Sequence, residues 1–502
     1  MTGQRLTYAF GPLERRGLLG PLRAGQALIL AIGGALAATV LDRSPTPGGA
    51  LGALLAIGAA AAASFAPLAG RNLQEWAPVA GRFLGRRMIG HARFRSRAPL
   101  MGTVVLARTG WPRPGGPGRA PQMPRELRGV RILESPYRQR SIGVLAEQTG
   151  RRLTAVLACR VLAFSLLDPE AQERRLARWG LVLSGAATSG VRRLQWIERT
   201  APAQGDELAR WLHAERDPSV PSRGAPLIES YLELIGTSTT VTQEHEILLA
   251  VQVEGRAAAA RSGRAARGAH EQLIEATERV SRGLIEVEVD VLGALSAGQL
   301  AHTLRTAFDP YARRELAGLE AADPDRDGLA ETGAWPAAAR ERWDHYECDG
   351  ARHASYWISA WPRIEVSPMF MDALLGRSGA VRTVAVTFEP LPVERSTREI
   401  EAAITRDQAD RELRHRFGQS ETARQRQARA ATMRRESELA AGHGEVRMAG
   451  FITVSGRDAD DLRHACGEVQ DHAARARLEL HRLYGQQADA FTFTLPLCRG
   501  LR

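Results

Sequence analysis

The residues best placed to do chemistry lie in HYECDGARH, where His345, Cys348 and His353 put three borderline-soft donors within nine residues. Zinc takes imidazole and thiolate donors of this kind, but a structural site needs four, and the neighbourhood supplies no fourth. His353 also opens an apolar, alternating stretch, so an ordinary loop with a buried thiol competes with the metal reading. Upstream, DPDRDG (Asp323 to Gly328) copies the first half of a calcium loop, with acids at positions one, three and five and glycine at six. Position twelve is Ala334, where a bidentate Glu is required, and position two is proline, which favours a plain solvent loop. His464 and Cys466 stand two apart in a helical pattern and face different directions, which suits packing. No GxSxG, HExxH, GxGxxG leading into a helix, or paired catalytic carboxylates stands out. All 67 basic residues are arginine, since the sequence holds no lysine. That excludes a GxxxxGK(S/T) phosphate loop, a Schiff base and a lysine general base. The expectation is therefore a chain that is not an enzyme, with no catalytic, cofactor-binding or metal residues and no cofactor.

The other candidates are structural. Cys159, Cys348, Cys466 and Cys498 stand far apart with no CxxC pair, as reduced, buried thiols do. Trp179, Trp196, Trp211, Trp357 and Trp361 sit in apolar periodic contexts and read as core rather than as base-stacking platforms. A net charge of +11 fits anionic lipid or nucleic acid without distinguishing them, so DNA contact through arginine stays open.

The elements that carry these residues begin with two uncharged stretches. AGQALILAIGGALAATVL (24–41) and GALGALLAIGAAAAASFAPLAG (49–70) are each long enough to span a bilayer core, and DRSPTPG between them is a tight connection. Arg5, Arg15, Arg16 and Arg23 precede the first span, and Arg71, Arg82, Arg86, Arg87, Arg93, Arg95 and Arg97 follow the second. Only Arg43 lies in the loop, so the positive-inside rule puts both termini in the cytoplasm of a multi-pass plasma-membrane protein. A cleaved signal peptide would not bring a second apolar segment, and a buried soluble hairpin is the remaining competitor. Gly33, Gly34, Gly49, Gly52 and Gly58 would let helix backbones approach closely.

The division expected is a cytoplasmic N-terminal segment (1–23), a transmembrane hairpin (24–70), a basic juxtamembrane linker (71–124), a first cytoplasmic α+β unit (125–308), a poorly patterned connection (309–349) and a second α+β unit (350–502). In the linker, Trp76, Phe83 and Phe94 interleave with arginines, which suits an anionic membrane surface or an ordinary linker helix, and GWPRPGGPGRAPQMP (110–124) is proline-rich and flexible. The first unit reads as strands at 128–134, 141–147, 153–164, 191–199, 246–254 and 284–292, with helices from Asp168, at 205–216 and 223–236, at 256–282 and at 296–307. The second repeats the theme as β-α-β-β-α-β, interrupted by a mixed-charge arm at 394–441 that reads as one long helix or a helical hairpin. The fold class is α+β: a two-helix hairpin followed by two ferredoxin-like units, each an antiparallel sheet with helices on one face.

Several strings resemble known families. RLTYAFGPLERRGLLGPLRAGQ with the hairpin resembles PrgI-type membrane proteins of conjugative transfer and type IV secretion in high-GC Gram-positive bacteria. FSLLDPEAQERRLARWG, RRLQWIERT, SYLELI, HASYWISAWPR, GAVRTVAVTFEPLPVERSTREIEAA and DAFTFTLPLCRGL resemble the N-terminal, non-catalytic part of CagE/TrbE/VirB-type conjugation ATPases. The resemblance implies a non-catalytic membrane component of a type IV-like secretion machine. It would dock a separate, cognate ATPase at the cytoplasmic face and meet other membrane subunits, anionic lipid and a second copy of itself. Two alternatives stand beside it: a membrane subunit of a type VII secretion system, with a similar two-helix outline, and a membrane-bound metal-dependent enzyme using the 323–353 region.

Overall fold

The computed structural model describes residues 24–65, 67–68, 71–96, 122–137, 140–147, 151–161, 164–202, 243–255, 263–313, 331–362, 364–376, 378–416, 423–440 and 444–501, with positions 226, 230 and 316. Among these, two compact units form: a smaller one within 24–92 plus Tyr484–Gln486, and a larger one built from 93–483 and 487–501.

The smaller unit follows from composition. α1 (Ala24–Arg43) and α2 (Pro47–Phe65) are the two uncharged stretches, and the turn between them closes where Thr46 accepts the Gly49 amide and Pro47 opens the helix. After α2 the chain turns back through β1 (Pro67–Leu68) and β2 (Arg71–Asn72), which pair Pro67 with Asn72, and enters α3 (Leu73–Met88). The expected basic linker thus contains an ordered helix.

In the larger unit β3 (Arg93–Arg95) joins the rim of the main sheet by pairing with β10 (Ala338–Glu341). Two repeats then build that sheet. The first runs β4 (Arg131–Tyr137), β5 (Arg140–Glu147), β6 (Arg152–Arg160), α4 (Pro169–Thr188), β7 (Val191–Pro202), β8 (Gln243–Glu254), α5 (Gly263–Glu286), β9 (Asp290–Ala294) and α6 (Ala297–Phe308). The second runs β10, β11 (Tyr346–Cys348), β12 (Ala351–Ala360), α7 (Asp372–Leu375), β13 (Val381–Leu391), the arm α8 (Val393–Arg416) and α9 (Ala423–Ala440), β14 (Glu445–Gly456), α10 (Ala459–Arg475), β15 (Glu479–Arg482) and α11 (Gln487–Phe491).

Strand order shows the repeat directly. β9-β6-β8-β7 and β15-β12-β14-β13 both have the antiparallel 4-1-3-2 order of a ferredoxin-like β-α-β-β-α-β, each with a preceding hairpin added beside its first strand. The α+β class is therefore present. β7 and β13, the outer strands of the two repeats, pair antiparallel from Arg382↔Thr200 to Phe388↔Leu194, so the two expected units share one continuous sheet.

Alternation of side chains along the strands gives this sheet two buried faces. On one, α4 and α5 cover Val144, Leu153, Leu194 and Val251, while α10 covers Tyr356, Ile452 and Val454. On the other, α6, α11 and the C-terminal residues cover Leu145, Val156, Ile197, Leu248 and Ala385. Helices thus occupy both faces, whereas one covered face was expected. The 309–349 stretch, which lacks clear patterning, contributes the short strands β10 and β11, whose three- and four-residue lengths leave too little alternation to read. The arm takes the helical-hairpin form of the two its composition allows, as α8 and α9, and the strand expected at 284–292 is the end of α5 followed by β9. The helix expected at 205–216, that at 223–236 apart from positions 226 and 230, and the loop 110–121 lie outside the described residues.

Candidate membrane anchor and assembly site

α1 and α2 are arranged inside out compared with a soluble helix pair. The large apolar residues face outward: Leu28, Ile32 and Leu36 on α1 and Leu51, Leu54 and Leu55 on α2 are each more than half exposed, while Ala37, Ala53 and Ala60 are buried. Water penalises such a surface, and lipid does not. Small residues set the crossing. A Cβ added to Gly33 would collide with the Ala60 side chain, whereas one added to Gly34 would meet nothing. One polar clasp closes the pair, where buried Gln26 donates to the Ser64 carbonyl at 3.0 Å. Both helices are long and apolar enough to cross a membrane.

The juxtamembrane aromatics do not face outward. Trp76 and Phe83 are buried, and Phe94 is a partly buried residue of β3 packed against the core. Of the two readings of this segment, the burial of these rings fits the ordinary helix, since rings of this size fill the unit's own interior. Among the described residues of α3, the exposed large apolar side chains are Leu84 and Met88.

The sequence-level metal candidates are engaged elsewhere. His353 is fully buried, with Nε2 donating to the Phe308 carbonyl at 2.8 Å and Nδ1 accepting the Ser455 hydroxyl at 2.9 Å, and its ring lies 4.7 Å from that of Phe491 at a tilt of 45°. His345 bonds Asp344 and Glu347, and Cys348 is a buried core thiol beside Tyr346. Among the described residues no group of three His, Cys, Asp or Glu is placed to hold a metal. DPDRDG at 323–328 lies outside the described residues, and so does Trp211. Cys466 packs inside the α10 cluster while His464 points to solvent, as their spacing implied. Trp179, Trp196 and Trp361 pack against the core clusters, and Trp357 packs against Phe451 and Leu483.

A second constellation has no motif in the sequence. Polar residues line the second face of the sheet where the repeats meet, and they hold the C-terminal segment by its backbone. Gln195 donates to the Phe493 carbonyl at 2.8 Å and accepts the Cys498 amide at 2.7 Å. Gln252 donates to the Leu497 carbonyl, Thr387 to that of Arg499, and Arg193 to those of Cys498 and Leu501. Arg499 pairs with Glu147 and reaches the Glu126 carbonyl, and Arg193 pairs with Glu389. Nearby, Arg199, Thr303, Thr453 and Ser455 together with Ile197, Leu248 and Phe491 line a small cavity of mixed polarity. Burial alone would raise the Glu246 carboxyl behind it, but Arg199 and Arg313 hold it below the usual carboxylate range. These groups bond one another and backbone, an arrangement suited to fixing a segment in place. The signal in the sequence was present but faint: Thr154, Gln195, Gln252, Thr387 and Thr453 each interrupt an apolar strand on the parity of one face.

The comparison with family models bears on part of the larger unit. Residues 241–358 match the family described as putative type VII ESX secretion system translocon, EccE. No curated protein matches the chain. The matched residues carry β8, α5, β9, α6, β10, β11 and most of β12, the run that links the two repeats. The match supports a membrane subunit of a secretion system and favours the type VII alternative. Nothing in the comparisons supports the PrgI or CagE/TrbE resemblance, whose strings lie largely outside the matched residues.

Proposed function

We propose that this chain is a non-catalytic membrane subunit of a type VII-like secretion translocon. The family match across residues 241–358 carries the reading, and the outward-facing leucines of α1 and α2 supply the anchor it needs. Both ends of the hairpin lie on the cytoplasmic side in this proposal, because arginines flank the two spans and only Arg43 enters the loop. The double repeat then sits at the cytoplasmic face as an assembly platform for other membrane subunits and for further copies of itself. A separate ATPase supplies the energy for transport in this proposal, as residues 1–502 hold no lysine for a phosphate loop.

Affinity purification of the tagged full chain from membranes tests this. The expected result is co-purification of other type VII membrane subunits and their ATPase, together with loss of WXG-type substrate secretion when the gene is deleted. Recovery in the soluble fraction, or association with a conjugation ATPase and normal secretion of such substrates, would overturn it.

A further inference from the structure

α3 carries two apolar faces, and only one is used inside the protein. At about 100° per residue, Trp76, Val79 and Phe83 form one stripe, and all three are buried. Ala77, Gly81, Leu84 and Met88 form the other, with Ile89 just beyond the last turn. Leu84 is 55% exposed, Met88 87% and Ile89 70%. Exposed Arg82 lies to one side of this second stripe and Arg87 to the other. Arg86, between the two faces, is spent on the Gly485 carbonyl at 2.7 Å.

The position of α3 in the chain limits what can cover that stripe. Seven residues separate Phe65, the end of α2, from Leu73, and among them Pro67 pairs with Asn72 and Leu68 with Arg71 in β1 and β2. Paired antiparallel residues have Cα atoms about 5 Å apart, so α3 starts within roughly one helix diameter of where the second span ends. A helix held at that level, with an apolar stripe between two arginines, has the form of an interfacial helix.

We infer that α3 lies in the plane of an anionic bilayer surface, with Leu84, Met88 and Ile89 inserted at the acyl boundary and Arg82 and Arg87 at the level of the lipid phosphates. This rests on the membrane-anchor reading above and adds the lipid class and the contact residues. The long arginine stems let the guanidinium groups reach phosphate while the stripe between them stays in hydrocarbon. The aromatic pair Trp76 and Phe83 plays no part in lipid contact, so the inserted group is aliphatic.

Site-specific fluorescence in reconstituted full-length protein tests the assignment. Met88→Cys is labelled with an environment-sensitive probe, the four native cysteines being buried, and Leu54→Cys on α2 serves as the spanning reference. The probe at Met88 is expected to be quenched about twofold or more by lipids carrying a nitroxide near the headgroup and little by those carrying it near the chain end. The order reverses for Leu54. Omitting anionic lipid, or combining Arg82→Glu with Arg87→Glu, is expected to abolish the Met88 quenching and leave that of Leu54 intact. Quenching of Met88 only by aqueous iodide, or by neither reagent as under a protein partner or second copy, overturns the inference while Leu54 still reports a spanning hairpin. Loss of lipid quenching at both positions overturns the anchor reading as well.

Discussion

Gln195 is wholly buried, and its one amide group serves two backbone partners, the Phe493 carbonyl and the Cys498 N–H. Gln195→Leu keeps the volume but leaves both partners unpaired in the interior, at a cost of about 2–4 kcal/mol. Denaturant titration of the purified protein checks this, and a loss under about 0.5 kcal/mol would mean the C-terminal segment is not held as described. His353 gives a pH signature. Burial pushes it down from the ordinary value near 6.5 to about 4, against the opposing pull of the Phe308 carbonyl at Nε2. The unfolded chain takes up a proton near pH 6.5 and the folded one only near 4, so stability is lost as pH falls through that window, by about 3 kcal/mol at most. His353→Gln is expected to flatten the slope of stability between pH 6.5 and 4 relative to wild type. An unchanged slope would show that another group controls it. Burial also raises the Cys159 thiol to about 11, with the Asp290 charge adding to the effect. That leaves about a hundredfold less thiolate than an ordinary cysteine, so alkylation at pH 8 should be slower by about that factor until the protein is denatured.

At the scale of elements, the hairpin makes a paired prediction. Gly33→Leu drives a side chain into Ala60, and overpacking of this kind costs about 1–3 kcal/mol, whereas Gly34→Leu enters open space. Thermal unfolding in detergent should fall for the first substitution and hold for the second. Equal behaviour would mean the helices do not cross at Gly33. The hairpin was legible in the sequence because eighteen uncharged residues leave few alternatives. The long strands were legible for a similar reason: VRTVAVTFEP and EILLAVQVE alternate or run apolar over enough residues to declare a period. β10 and β11 were not, because three or four residues carry at most two alternations. The burial of Trp76 and Phe83 was not legible either. A helix with two apolar stripes gives the same composition whichever stripe turns inward, and only the packing partners decide.

For the whole molecule, the decisive feature is the pairing of β7 with β13. Each repeat alone would end in an exposed edge strand, an open template for association with another chain. Pairing the two edges removes both at once, and the C-terminal segment then lies across the junction, tied by Gln195 and Arg193 of one repeat and Thr387 of the other. The chain's repeated β-α-β-β-α-β order was readable from periodicity, but this junction was not, since nothing local marks which edges meet. It implies that the two repeats unfold together. Ala385 sits wholly buried at the centre of the junction, opposite Ile197 of β7 and Phe451 of β14. Ala385→Asp forces a carboxylate with no partner into that interior, at a cost of about 3 kcal/mol or more. Native-state hydrogen exchange is the measurement: the slowest amides of β6, in the first repeat, and of β12, in the second, should lose protection by the same amount. If β12 loosens while β6 keeps its wild-type protection, the repeats are independent domains that merely touch, and the shared sheet does not make them one cooperative body.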